Sequence, residues 1–213
     1  MMKKHTNENH KYTPEEIEEL RKCMSDVVYF CNNYVHVRHP ILGDVMFEPH
    51  SHQIDTLNNY NNNEANIMLH TRQCGATTTM AAYGLWYAIF NRDSRILFTA
   101  PKVSGAHAII DKIQYMYEHL PVWLRPDQDK NAWNKHTCGF ENKSYILGKH
   151  IHSCTAKAMS ISLLFIDDMA YAAVNAQEEF IEAIHPHIVT STKCNIASGA
   201  NRHHPKGDVF SEM

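Results

Sequence analysis

Along the chain, apolar residues recur at Ile17, Leu20, Met24, Val27, Val28 and Cys31, the spacing that lines one face of a helix. Thr13-Pro14-Glu15-Glu16 just ahead reads as a capping box with proline at the first helical position, which predicts one amphipathic helix running to about Tyr34. Residues 1–12 are polar and charged, the composition of a disordered tail, and residues 13–213 read as one domain. Val35 to Pro49 is extended and loop-like, with turn signals at His39-Pro40 and Leu42-Gly43-Asp44. Asn66 to His70 is a short apolar run that breaks into a polar turn. A second helix follows, in which Met80, Ala81, Tyr83, Gly84, Leu85, Trp86, Ile89 and Phe90 are apolar nearly all round, as in a helix buried against a sheet.

Arg95 to Ala100 then forms a buried strand that closes a β-α-β unit with a right-handed crossover. Ser104 to His119 is amphipathic, and Pro121 to Lys149 is irregular apart from short strands at Cys138 to Glu141 and Ser144 to Leu147. Ser162-Leu163-Leu164-Phe165-Ile166-Asp167-Asp168 is an apolar strand ending in two carboxylates, followed by a helix over Ala176 to Ile184 and a strand over Lys193 to Ser198. Strands near 66–70, 95–100, 162–167 and 193–198, alternating with helices, predict an α/β fold with a mostly parallel sheet covered by helices on both faces.

Composition narrows the function. A chain of 213 residues can bury roughly two-thirds of its unfolded surface in one core. The formal charge of −3 argues against a surface that is basic throughout, so any nucleic-acid contact is local or shared between subunits. The six cysteines show no C-x-x-C spacing, which favours a reducing compartment over a disulfide scaffold, and no apolar run approaches the roughly 18 residues of a membrane span. Sixteen histidines include His150-x-His152, His185-x-His187 and His203-His204, but no cysteine or glutamate completes a ligand set at standard spacing, so they read as surface and partly buried polar residues.

The chemistry centres on Arg72-Gln73-Cys74-Gly75-Ala76-Thr77-Thr78, a turn between a strand and a buried helix. A phosphate-binding loop has this outline: amide N–H groups at a helix start face the phosphate, the helix dipole favours its charge, and a hydroxyl after the turn holds Mg²⁺. Thr77 supplies the hydroxyl. The pattern G-x-x-x-x-G-K-[ST] would place glycine at His70 and lysine at Ala76, so two of its four fixed positions are absent. The carboxylates of Asp167 and Asp168 stand in the order expected for a metal anchor and a water-polarising base. Gln53, ahead of the loop, has an amide that donates and accepts together, as reading an adenine edge requires.

These residues resemble the ATPase domain of the large terminase subunit of tailed phages, the motor that packages viral DNA. The loop matches the family form S-R-Q-x-G-K-T-T, His52-Gln53 the form Y-Q, and Asp167-Asp168 the form D-E. Val37-Arg38-His39-Pro40, Leu120 to Leu124 and Trp133-Asn134-Lys135 extend the similarity from about Tyr34 to about Asn201. The resemblance implies a P-loop NTPase of RecA-like type that uses ATP and Mg²⁺. By the same resemblance Gln53 would read the base, and Gln73, Gly75, Ala76, Thr77 and Thr78 would surround the phosphates. Arg72 would reach the γ-phosphate, Thr77 and Asp167 would hold the metal, and Asp168 would orient water. Lys157 stands where the family's R-G-x-S element carries arginine, and Asn201 matches the end of a coupling motif.

The implied partners are double-stranded DNA, a portal protein and a small terminase subunit, with a homo-oligomeric ring in the host cytoplasm and no membrane. The stretch to Met213 has no room for the family's nuclease domain, so DNA cleavage is not expected. Without the loop lysine, turnover is expected to be weak or absent. Asp168 for glutamate, Lys157 for arginine and a rewritten coupling motif favour natural divergence over one engineered change at Ala76. A catalytically inactive module that docks on a packaging component or on DNA is the alternative, and a helicase or translocase of the wider P-loop group a third.

Overall fold

In the computed structural model, residues 10–71, 73–151, 160–172, 175–180, 182–183 and 193–199 are described. The four strands expected from the apolar runs all form, and they lie in the parallel part of one seven-stranded sheet. They are β3 (Ala65–His70), β4 (Arg95–Ala100), β8 (Leu163–Asp167) and β9 (Lys193–Gly199). With β5 (Gln128–Asn134), β6 (Thr137–Phe140) and β7 (Tyr145–His150), the sheet order is β3-β9-β8-β4-β7-β6-β5. β3, β9, β8, β4 and β7 run parallel, and β6 and β5 turn back antiparallel.

Burial explains the order. All five residues of β8 and five of six in β4 are buried, the signature of strands covered on both faces, whereas β3 alternates between exposed and half-buried. On one face lie α4 (Ala76–Phe90) and α5 (Val103–His119). A Cβ added to Gly84 of α4 would meet the Phe98 ring at 2.5 Å, and one added to Gly148 of β7 would meet Ile110 of α5 at 2.7 Å, so glycine at each position admits helix to sheet. Phe98 stacks on Phe165 with ring centres 4.8 Å apart, and Tyr60 of α3 (Ser51–Asn62) packs edge-to-face with Phe165, ring centres 5.3 Å apart. The opposite face carries a smaller cluster of Leu97, Leu164, Ile166 and Phe180, the last from the helical residues 175–180.

Three expectations need correction. The single helix to Tyr34 is two, α1 (Pro14–Ser25) and α2 (Val27–Tyr34), because Asp26 takes an extended conformation and its carboxylate accepts from the N–H groups of Val28 and Tyr29 at 2.8 and 3.1 Å. The extended stretch after it is an antiparallel hairpin of β1 (His36–His39) and β2 (Gly43–Met46). The hairpin docks on α5, with Tyr115 donating to Asp44 at 2.8 Å and Arg38 paired with Asp111 at 3.1 Å. β5 arises in a segment read as irregular; it pairs with β6 across a bulge and packs Trp133 against Tyr117 and Phe140. Of the tail read as disordered, residues 1–9 lie outside the described residues, while His10 pairs with Glu16 at 2.9 Å.

Candidate functional site

The turn after β3 is built by two left-handed residues. Gln73 has φ 63° and Gly75 φ 82°, so the chain reverses within three residues and enters α4 at Ala76. Gly75 is also pressed from outside: a Cβ there would lie 2.4 Å from the Gln53 amide nitrogen. The first helical hydrogen bond of α4 runs from Thr79 N–H to the Gly75 carbonyl at 2.9 Å. The N–H groups of Ala76, Thr77 and Thr78 therefore belong to the first turn, which a helix leaves without intrahelical partners. They open on a cavity of about 760 Å³ whose lining includes Gln73, Gly75, Thr77, Lys112, Asp167 and Asp168.

Thr77 and Asp167 meet across the sheet, the Thr77 hydroxyl donating to Asp167 Oδ2 at 2.9 Å. Asp167 is only 6% exposed, and burial pushes its carboxyl up to about 6, with the Thr77 hydrogen bond pulling down and the Asp168 charge pushing up. Asp167 Oδ1 is buried without a hydrogen-bond partner, and so is Nε2 of His70, the last residue of β3. Asp168 follows β8 in a left-handed conformation, φ 51° and ψ 37°, and lines the same cavity.

Helix α3 clamps the loop from the other side. The Gln53 side chain accepts from the His50 N–H at 2.8 Å and donates to the Cys74 carbonyl at 3.0 Å, and His52 reaches that carbonyl at 3.1 Å. Gln53 is 6% exposed and retains one amide hydrogen and one carbonyl lone pair for other use. It also borders a second cavity, of about 340 Å³, between the hairpin, α5 and the loop, where Val37, Phe47, Tyr115 and Met116 give apolar walls. Gly75, Thr78 and Lys112 line both cavities.

Of the residues singled out from the sequence, Gln53, Gln73, Gly75, Ala76, Thr77, Thr78, Asp167 and Asp168 thus gather around one loop. Arg72, Lys157 and Asn201 lie outside the described residues. Sequence reasoning missed two others. Lys112 of α5 brings Nζ to 3.5 Å from Thr78 Oγ1, and Lys102, just ahead of that helix, lines the larger cavity. Only the β4-α5 crossover brings them near the loop, and a lysine on an exposed helix face carries no signal of it.

The parallel sheet with its strand-loop-helix turn and acidic strand tip is an α/β fold with antiparallel strands added at one side. Solved structures of that fold include the large terminase of bacteriophage HK97. It is 16% identical with a TM-score of 0.65 over 88% of this chain, and the chain spans 40% of its length. The ATPase domain of the Thermus phage P74-26 large terminase superposes with a TM-score of 0.51 at 16% identity, over 73% of this chain and 67% of that one. The UvsW helicase of bacteriophage T4 gives 0.55 at 11% identity, over 92% of this chain and 64% of that one. No protein-family model matches the chain. At these identities the likeness is one of fold, and it is shared by phage large terminases and a phage helicase.

Proposed function

We propose that this chain is the ATP-binding core of a terminase-like DNA-packaging motor, with turnover weak or absent as the loop stands. The hydrogen bond between Thr77 and Asp167 carries the reading, because it joins the hydroxyl after the loop to the acid at the tip of β8 beside the start of α4. The N–H groups of residues 76–78 donate to phosphate oxygens there, and the helix dipole favours the charge. The base occupies the apolar cavity beside the hairpin, where Gln53 offers its remaining hydrogen and lone pair. Gln73 and Thr78 flank the phosphates, and Asp168 orients the attacking water from one methylene further back than a glutamate would.

The residues suit a magnesium ion: Thr77 offers a hydroxyl and Asp167 an unpartnered buried oxygen beside it. When bound, the ion neutralises charge on the phosphate oxygens. Ala76 supplies no cation in place of the loop lysine; Lys112, at 3.5 Å from Thr78, delivers positive charge from α5 instead. Arg72, Lys157 and Asn201 keep the phosphate-sensing and coupling roles that the resemblance implies. Double-stranded DNA, a portal protein and a small terminase subunit follow as partners, with assembly in a ring in the host cytoplasm. No helix among the described residues is long and apolar enough to cross a membrane.

The test is nucleotide binding and hydrolysis by the chain, by Ala76→Lys and by Lys112→Met. Restoring the lysine should raise turnover at least tenfold, about 1.4 kcal/mol of transition-state stabilisation. Lys112→Met should weaken nucleotide binding in the parent and matter less beside Ala76→Lys. If neither the parent nor Ala76→Lys binds nucleotide, the chain is an inactive docking module instead.

A further inference from the structure

His70 ends β3 at a position where the phosphate-loop pattern has glycine, and its ring is held in one sense. Nδ1 lies 3.0 Å from the Thr71 carbonyl oxygen. A carbonyl only accepts, so Nδ1 carries the hydrogen, and in the neutral ring the lone pair sits on Nε2. A histidine that ligates a metal is commonly oriented this way, with its outer N–H donated to a carbonyl. Nε2 itself is buried with no hydrogen-bond partner. The same holds for Oδ1 of Asp167, a side chain 94% buried whose other oxygen is taken by Thr77. With the ring neutral and the carboxyl ionised, a nitrogen lone pair and a carboxylate oxygen are both electron-rich and do not satisfy each other, and leaving each unpaired in the interior is costly. One donor atom from each of His70, Asp167 and Asp168 falls within 4.8 Å of the others. A cation among them satisfies the two orphaned atoms, with Asp168 close enough to serve as a third ligand.

We infer that His70, Asp167 and Asp168 form a binding site for a divalent transition-metal ion that fills without nucleotide and takes Mn²⁺ ahead of Mg²⁺. The preference follows from the donors. Magnesium demands oxygen ligands in a near-ideal octahedron and keeps much of its water, whereas an imidazole nitrogen adds affinity for the later ions. The consecutive carboxylates arrive from the centre of the sheet and the imidazole from β3, so the ion ties the tip of β8 to the strand that launches the loop. The inference shares Asp167 and Asp168 with the proposed function and rests on that reading only through them, and it adds a ligand, His70, that the phosphate-loop pattern does not contain.

Mn²⁺ titration followed by electron paramagnetic resonance on the intact chain, without nucleotide, tests it. One Mn²⁺ should bind per chain, an equal concentration of Mg²⁺ should fail to displace it, and His70→Ala and Asp167→Asn should each weaken it at least tenfold. His70→Gln, which keeps most of the side-chain volume, should show the same loss with the circular dichroism and melting temperature of the parent, separating a lost ligand from a lost fold. Parent-like Mn²⁺ affinity in His70→Gln overturns the inference. So does Mn²⁺ that binds only together with ADP and is indifferent to His70, a result that leaves the nucleotide reading intact. Mn²⁺ held through His70 by a chain that binds no nucleotide upholds the inference and removes that reading.

Discussion

In the middle of the sheet Phe165 of β8 stacks on Phe98 of β4 and neither ring reaches solvent, whereas at the β3 margin Ile67 and Leu69 leave 51% and 67% of their surface exposed. The two halves of the candidate site descend from these unequal supports. Asp167 stands on a strand with hydrogen-bonded neighbours on both sides, β4 and β9, so its position follows from the ladder. The loop leaves β3, whose partner among the described strands is β9 alone, and it is placed by side chains from α3 instead. Asn66 bonds Asn195 at 2.8 Å, the Thr56 hydroxyl meets Met68 sulfur at 3.3 Å, and Gln53 and His52 hold the Cys74 carbonyl. An acid can thus be set by backbone pairing, while the loop facing it depends on a few polar contacts.

Substitutions can break this contrast. The largest effect belongs at the centre: Phe165→Ala removes a fully buried ring in contact with Phe98, Tyr60 and Tyr83 and should cost about 3–5 kcal/mol in urea unfolding. Gln53→Ala comes next. It leaves the His50 N–H without its acceptor and the Cys74 carbonyl with one donor fewer, for about 1–3 kcal/mol, and nucleotide affinity should fall with the loss of loop order. Leu69→Ser at the margin should stay within about 0.5 kcal/mol of the parent. A cost at Leu69 as large as that at Gln53 would mean that the β3 face is covered in solution, and the contrast between centre and margin would collapse.

The same contrast marks what could be read from the chain. The central strands are legible because burial on both faces demands unbroken apolar runs, as in Leu163-Leu164-Phe165-Ile166. β1 and β2 are four residues each and rich in His, Arg and Asp, so their pairing has no periodicity to betray it, and β5 is hidden by Gln128-Asp129-Lys130-Asn131. The break at Asp26 is masked because Val27 and Val28 continue the apolar spacing across it. For the candidate site, the convergence of Thr77, Gly75 and Asp167 on one loop was legible because the phosphate-loop pattern sets residue types at fixed offsets. Lys112 and His70 were not: the first reaches the loop through tertiary packing, and the second registers in the sequence only as a glycine that is missing.

Asp168 leaves β8 with its backbone in a region that suits glycine and burdens most side chains. Glycine there would relax the bend by about 1 kcal/mol and show a higher melting temperature, but it would strip one carboxylate from the cavity rim. At this single corner, durability and chemical capacity draw on the same torsion angle, so a variant chosen for heat resistance alone would drift toward a chain that folds better and does less.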